Sequence, residues 1–178
     1  MLRYVKGTVG EGLRYTRGEN LAVWGYSDAS YGSDQETKKG RSGYVFLSDG
    51  AAVSSGSKLQ DVVALSSTEA QYMAMGHAVQ KGLYLQMLQL EMGIEPEEGG
   101  TLLLIDNQSA ITLAKNPVFH KRSKHIAIKY HFIREKVENK KFNFEFVRTL
   151  SMAADQLTKH VGVRILGVGK TLMGMCSG

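Results

Sequence analysis

The chain has 178 residues, 43% hydrophobic and 22% charged, which fits one globular domain with short appendages and excludes a disordered or fibrous chain. No apolar run approaches the ~20 residues of a membrane span, the stretch MLRYVKGTVGEGLRY lacks the apolar centre of a secretory signal, and the single cysteine, Cys176, excludes an internal disulfide. Net charge is +5 and the pI about 9.3, with basic residues in clusters; this favours a polyanionic partner, solubility alone being the other reading.

Residues 1–20 read as an amphipathic segment and a turn-rich linker with Gly7, Gly10, Gly12 and Gly18. Leu21–Asp28 predicts a first strand, apolar and ending in an acid, and residues 29–41 a polar loop. Ser42–Ser48 and Ala51–Ser57 predict two strands joined at Asp49-Gly50, a type I′ hairpin signal. From Ser66 to about Gly93 the spacing predicts the longest helix. Ser66-Ser67-Thr68-Glu69 fits a capping box at its start, apolar stripes through Tyr72, Met75, Val79 and through Met73, Leu85, Leu88 predict a helix covered by its neighbours, and Gly93 is its stop.

Thr101–Ile105 predicts a strand buried on both faces, with Asp106 at its C-terminal end, where ligand crevices of open α/β sheets form. The alternative for Asp106 is an N-cap of the next helix, predicted over 109–115 and stopped before Pro117. Lys124–Asn139 predicts a further helix, Phe142–Arg148 a strand, and Ser151 a cap for a last helical motif over Met152–Lys159; the Gly-rich tail from Val161 is ambiguous. The order β-β-β-α-β-α-α-β-α predicts an α/β fold with a mixed five-stranded sheet and helices on its faces. If the helix after the third strand makes a crossover, the fourth strand lies beside the first and sets Asp28 next to Asp106.

Four acids, Asp28, Glu69, Asp106 and Asp155, stand at element ends or first turns. Carboxylates packed together repel, and a hard divalent cation removes that penalty. Two such ions about 3.5–4 Å apart can clamp both oxygens of a phosphodiester displacement. Acids in basic surroundings therefore read as metal-dependent chemistry on nucleic acid. Each has a plainer reading: Glu69 as a capping-box residue, Asp155 as a surface acid favourable to a helix dipole.

The blocks GYSDASYGSD, KKGRSGYVFLSDGAAVSSGSKLQ, VALSSTEAQYMA, IDNQSAITLAKNPVFHKRSKHIAIKYHFIRE and AADQLTK resemble, in order, the ribonuclease H domain of copia-type LTR-retrotransposon Pol polyproteins. LRYVKGT resembles the connector from reverse transcriptase. The resemblance implies a connector remnant at 1–20, a ribonuclease H domain at 21–160 and a tail at 161–178. It implies the ribonuclease H fold, two Mg²⁺ or Mn²⁺ ions, and hydrolysis of the RNA strand of RNA–DNA hybrids to 3′-hydroxyl and 5′-phosphate ends. Asp28, Glu69, Asp106 and Asp155 would be both metal ligands and catalytic acids, with Glu69 also placed to meet the substrate's 2′-hydroxyl. The expected partners are the hybrid and a reverse transcriptase domain of the parent polyprotein, with no membrane and a monomeric isolated domain, inside the cell, in cytoplasm or nucleus. The rival from another class is a domesticated, catalytically inactive nucleic-acid-binding module; a second enzymatic rival is an integrase or exonuclease of the same superfold.

Hybrids are read through phosphates and 2′-hydroxyls across the minor groove. Lys38, Lys39, Arg41, Lys58, Lys121, Arg122 and Lys124 are the expected backbone contacts, and Ser67, Asn107 and Gln108 the polar groups beside the acids. His120, His125 and His131 lack the spacing of a zinc site and have no nearby Cys. GVGKT at 167–171 lacks the first glycine of a phosphate loop, because that position is Arg164. Trp24 and Tyr26 are expected to pack in the sheet.

Overall fold

The structure is a computed structural model and describes residues 2–16, 21–95, 98–116 and 124–178, with side chains of residues 2, 3 and 124–127 outside that description. In chain order, α1 (Leu2–Gly7) and β1 (Glu11–Leu13) precede three antiparallel strands, β2 (Trp24–Ser30), β3 (Arg41–Ser48) and β4 (Ala51–Leu59). Helix α2 (Ser67–Glu91) leads to β5 (Thr101–Ile105), then α3 (Gln108–Lys115), α4 (Lys124–Glu138) and β6 (Phe142–Phe146). Two 3-10 turns, Thr149–Ser151 and Asp155–Leu157, come before α5 (Val163–Leu172) and β7 (Met175–Ser177).

The main sheet has the order β4-β3-β2-β5-β6, with β5 parallel to both β2 and β6. The expected α/β class and mixed five-stranded sheet are therefore present, and the fourth strand of the sheet lies beside the first. Pairing of β2 with β5 ends at Ser27↔Ile105, so Asp28 and Asp106 follow directly on adjacent strands. β2 begins at Trp24 rather than Leu21 and runs two residues past Asp28, because its antiparallel ladder with β3 continues to Ser30↔Arg41. Asp28 thus sits inside a strand, and Arg41 opens the next strand instead of closing a loop.

Helix α2 starts as a capped helix should. Ser66 is its N-cap and accepts from the Glu69 N–H at 3.1 Å, while Glu69 Oε2 accepts from the Leu65 N–H at 3.1 Å. Gly93, at φ +76°, ends it in the left-handed region. Between these ends the helix covers one face of the sheet. Phe46, Leu103, Ile105, Phe142 and Phe144 of the strands pack with Tyr72, Met75 and Val79 of α2 and Ile133 of α4. The other face buries Tyr26, Val45 and Leu47 under Met152, Ala153 and Ala154, with Trp24 alongside, its ring 5.3 Å from that of Tyr26. Four consecutive residues, Met152 to Asp155, are buried. In place of the helix expected over Met152–Lys159 there is a turn followed by the single 3-10 turn Asp155–Leu157. Ser151 lies within the preceding 3-10 turn, Thr149–Ser151, and caps nothing.

The segments flanking this sheet pair with each other. β1 and β7 form a two-stranded antiparallel ladder, Glu11↔Ser177 to Leu13↔Met175, and Lys170 Nζ donates to both Glu11 carboxylate oxygens at 2.6 and 2.7 Å. The GVGKT stretch lies inside α5, not in a phosphate loop. Among the described residues no helix is long and apolar enough to cross a membrane.

His77 on α2 is half-buried, and its Nδ1 has no hydrogen-bond partner among the described residues. Burial, then the charges of Lys129 and Lys58, hold its pKa below the ordinary 6.5. A depressed base contributes stability that is present above its unfolded pKa and is lost as pH falls through the folded one. His77→Gln is expected to lose less stability than wild type between pH 7 and 5. Urea midpoints of the two proteins at both pH values check this, and parallel losses would refute it.

Candidate active site

Asp28 is 3% exposed on β2. Across the sheet it pairs with Gly43 of β3, which pairs with Ser57 of β4, so the three form one cross-strand row. The Asp155–Leu157 turn sits on that row. It can come this close because Gly43 has no side chain: a Cβ there would meet Thr158 Cγ2 at 2.7 Å and Leu157 Cβ at 3.0 Å. Ser57 Oγ donates to the Leu157 carbonyl at 2.6 Å, and Thr158 Oγ1 donates to Asp28 Oδ2 at 2.5 Å. These contacts bring Asp155, itself 2% exposed, into the electrostatic reach of Asp28.

On the other side of Asp28, β5 has ended and its ladder with β2 has stopped. Backbone groups there would be left unsatisfied in a buried strand, at a cost of about 1–3 kcal/mol each. Gln71 of α2 supplies both partners: its Oε1 accepts from the Ala29 N–H at 3.0 Å and its Nε2 donates to the Ser27 carbonyl at 2.8 Å. One side-chain amide thus fixes the backbone on both sides of Asp28 and anchors the first turn of α2, which carries Glu69, to the same strand. Asp106 follows β5, half-buried, and accepts from Thr149 Oγ1 at 2.9 Å. It does not cap α3; Asn107 does, its Oδ1 accepting from the Ala110 N–H at 2.9 Å.

Three of the four acids share one electrostatic field. Burial raises the Asp28 pKa most; the Thr158 hydroxyl lowers it, the Asp106 and Asp155 carboxylates raise it further, and Lys159 lowers it. The net direction is upward. Asp155 Oδ1 is buried and contacts the Lys159 ammonium in an ion pair without regular hydrogen-bond angles. Burial lowers the Lys159 pKa, and Asp155, Asp28 and Asp106 together more than offset this, so it ends raised. Glu69 is 2% exposed and turned towards its own cap.

Among the described residues no three Asp, Glu, His or Cys side chains converge closely enough to hold a metal ion as they stand. The chemistry of the donor set nevertheless fits a hard cation. It offers carboxylate oxygens only, and a buried carboxyl is strained by two like-charged neighbours and relieved by the single ammonium among them.

Of the expected backbone contacts, Lys38 and Lys58 are exposed and Lys39 and Arg41 partly so, with Lys58 3.3 Å from Asp61 in an exposed ion pair. Ser67 and Gln108 are exposed on the first turns of α2 and α3. Lys121, Arg122 and His120 fall outside the described residues, and so do the side chains of Lys124 and His125. A groove of about 530 Å³ opens beside Asp155, lined among others by Ser33, Arg41, Ser57, Lys159 and His160. The reading of the acids passed over Gln71, Thr149, Thr158, Lys159 and His160. Gln71 had a signal, as a polar residue in a helix otherwise expected to be covered. Lys159 had one as well, four residues after Asp155.

No protein-family model matches the chain. It is 38% identical over 177 residues, 99% of its length, to a retrovirus-related Pol polyprotein from the transposon TNT 1-94 of Nicotiana tabacum. It is 36% identical over 159 residues, 89% of its length, to the Pol polyprotein from transposon RE1 of Arabidopsis thaliana. The chain spans only 13% and 11% of those relatives. Among solved structures, LC11-RNase H1 in complex with an RNA/DNA hybrid matches 76% of the chain and 93% of its own, with a TM-score of 0.55 at 15% identity, a likeness of fold. The chain is homologous to the copia-type retrotransposon Pol polyproteins and has the ribonuclease H fold.

Proposed function

We propose that this chain is a metal-dependent endoribonuclease that cleaves the RNA strand of RNA–DNA hybrids within a retrotransposon Pol polyprotein. The observation that carries the reading is that Asp28 and Asp106 directly follow the paired part of two adjacent parallel strands, and that both Asp106 and Asp155 act electrostatically on Asp28. The hybrid-bound LC11-RNase H1, of the same fold, supports the choice of substrate.

In this reading Asp28, Asp106 and Asp155 would hold two Mg²⁺ or Mn²⁺ ions, and Glu69, on leaving the Leu65 N–H, would join them and meet the 2′-hydroxyl that marks the RNA strand. When bound, the ions supply Lewis-acid activation of water and charge neutralisation at the leaving oxygen. Thr158 holds the Asp28 carboxylate, Gln71 the backbone on either side of it, and Thr149 the Asp106 carboxylate, so two of the acids are held in place by the fold. Products carry 3′-hydroxyl and 5′-phosphate ends. The same chain in its parent polyprotein works beside a reverse transcriptase domain; alone it is a monomer.

A binding module without turnover is the second reading, favoured by the turn of Glu69 towards Leu65 and the pairing of Asp155 with Lys159. Incubation of the chain with a labelled hybrid and Mg²⁺ or Mn²⁺ separates the two. Loss of the RNA strand only, needing metal, absent on duplex DNA and abolished by Asp106→Asn, is the expected result. Hybrid binding without cleavage would replace the nuclease reading by the binding one.

A further inference from the structure

The Thr158-Lys159 pair has a task that the four acids alone do not explain. We propose that Lys159 is a built-in counter-ion of the acid cluster, held against Asp155 until a divalent cation takes the carboxylates and displaces the ammonium into the adjoining groove. This rests on the metal-dependent reading above.

The argument begins with the turn. Lys159 N–H donates to the Asp155 carbonyl at 3.2 Å, so the backbone itself aims the lysine back over Asp155. The two side chains are unequally placed. That of Asp155 is 4% exposed and has nowhere to go, while that of Lys159 is 47% exposed and can leave. The space to receive it is the groove of about 530 Å³ that Lys159 lines with Arg41, Ser57 and His160. A lysine ammonium is charged at neutral pH, and this one stands against the Asp155 carboxylate. It therefore supplies locally what a metal ion would supply: positive charge among three carboxylates that otherwise repel. Neighbouring Thr158 holds Asp28 through its hydroxyl, so two consecutive residues keep two acids in place. A divalent ion entering the cluster must compete with Lys159 for Asp155. Metal binding is then an exchange of cations, and the freed ammonium points into a groove already lined by Arg41, where a substrate phosphate gains from it.

An ion pair with only a structural role predicts the opposite result for metal. Removing it would leave metal affinity unchanged, or weaken it by loosening the turn. The experiment is Mn²⁺ binding by the full chain without nucleic acid, read from the electron paramagnetic resonance signal of free Mn²⁺. Lys159→Met is expected to bind Mn²⁺ about tenfold more tightly than wild type, within the usual range for coupled ligands, and Lys159→Arg to stay near wild type. Without metal, Lys159→Met should melt below wild type and recover more on adding Mn²⁺. Affinity equal to or below wild type in Lys159→Met overturns the proposal. Absence of Mn²⁺ binding in wild type and Lys159→Met alike overturns the metal-dependent reading, and the proposal with it. A measurement on wild type is independent of whether the variant folds. Acetylation of Lys159, followed by mass spectrometry, should speed up severalfold as Mg²⁺ saturates the protein, and an unchanged or slower rate refutes displacement.

Discussion

Asp28→Asn is expected to abolish hybrid cleavage while leaving the metal-free protein at least as stable as wild type at pH 7. The loss of activity should be on the order of a thousandfold, the scale seen when a group that stabilises charge in the transition state is removed. The stability has the opposite sign because of where Asp28 sits. The residue is 3% exposed, and burial, Asp106 and Asp155 outweigh Thr158 and Lys159 in holding its pKa up. A raised acid contributes stability that is full below the unfolded pKa and is lost as pH rises through the folded one, so at neutral pH the ionised form is a burden. Asn is neutral, nearly the same shape, and still accepts from the Thr158 hydroxyl through its own Oδ1. Urea midpoints without metal and initial cleavage rates on the same preparations measure both halves. A destabilised Asp28→Asn would mean that Asp28 is held by more than the contacts described, and residual cleavage near wild type would remove it from the catalytic set.

The second large effect lies in the core beneath the site. The Phe142 ring occupies the space that a side chain at residue 82 would take: a Cβ on Gly82 would meet Phe142 Cζ at 2.6 Å and Cε1 at 2.8 Å. Phe142→Ala should cost about 3–5 kcal/mol, as removal of a buried ring usually does. Gly82→Ala should also destabilise, by about 1–3 kcal/mol, through overpacking that exceeds what alanine adds to a helix. In the Phe142→Ala background the sign of the second substitution reverses. With the ring gone, alanine at 82 fills part of the cavity and removes a helical glycine, while Phe46 Cζ, at 3.1 Å, must give a few tenths of an ångström. Denaturant unfolding of the two single variants and the double variant closes this cycle. Additive losses would show that α2 and β6 do not press on each other at this point.

Much of this arrangement was legible from residues alone, and the places where it was not have physical reasons. Alternation and the Asp49-Gly50 turn give the three-strand meander, because both are local signals. The helix between Ser66 and Gly93 is legible at both ends because a capping box and a left-handed glycine are chemical marks. The placing of β5 beside β2 was expected only on the condition that the intervening helix makes a crossover, and the structure has that pairing, in parallel. The start of β2 was placed three residues early because apolar character at Leu21–Val23 does not say where β3 stops pairing. The Met152–Lys159 motif is a turn and one 3-10 turn and not a helix, packed on the Asp28–Gly43–Ser57 row, and that contact between distant segments leaves no mark in the local sequence. Likewise Asp106 reads equally as cap or ligand until Asn107 is seen to take the cap. The four acids could be named, but the residues that hold them could not: Gln71 matters because β5 ends at Ile105, and Thr158 because Gly43 leaves room. Both are facts of tertiary contact between segments far apart in the chain.

The ladder between β1 and β7 has a mechanical consequence. The Gly178 N–H donates to the Gly10 carbonyl at 2.9 Å, so the outer ends of the two strands lie together. Tension applied through both ends would load these bonds one after another, like opening a zip, instead of shearing them all at once. Such a ladder yields early. The flanking segments then peel away as slack while the sheet that carries the acids is still unstressed, and they act as a fuse between the catalytic frame and whatever pulls on the chain.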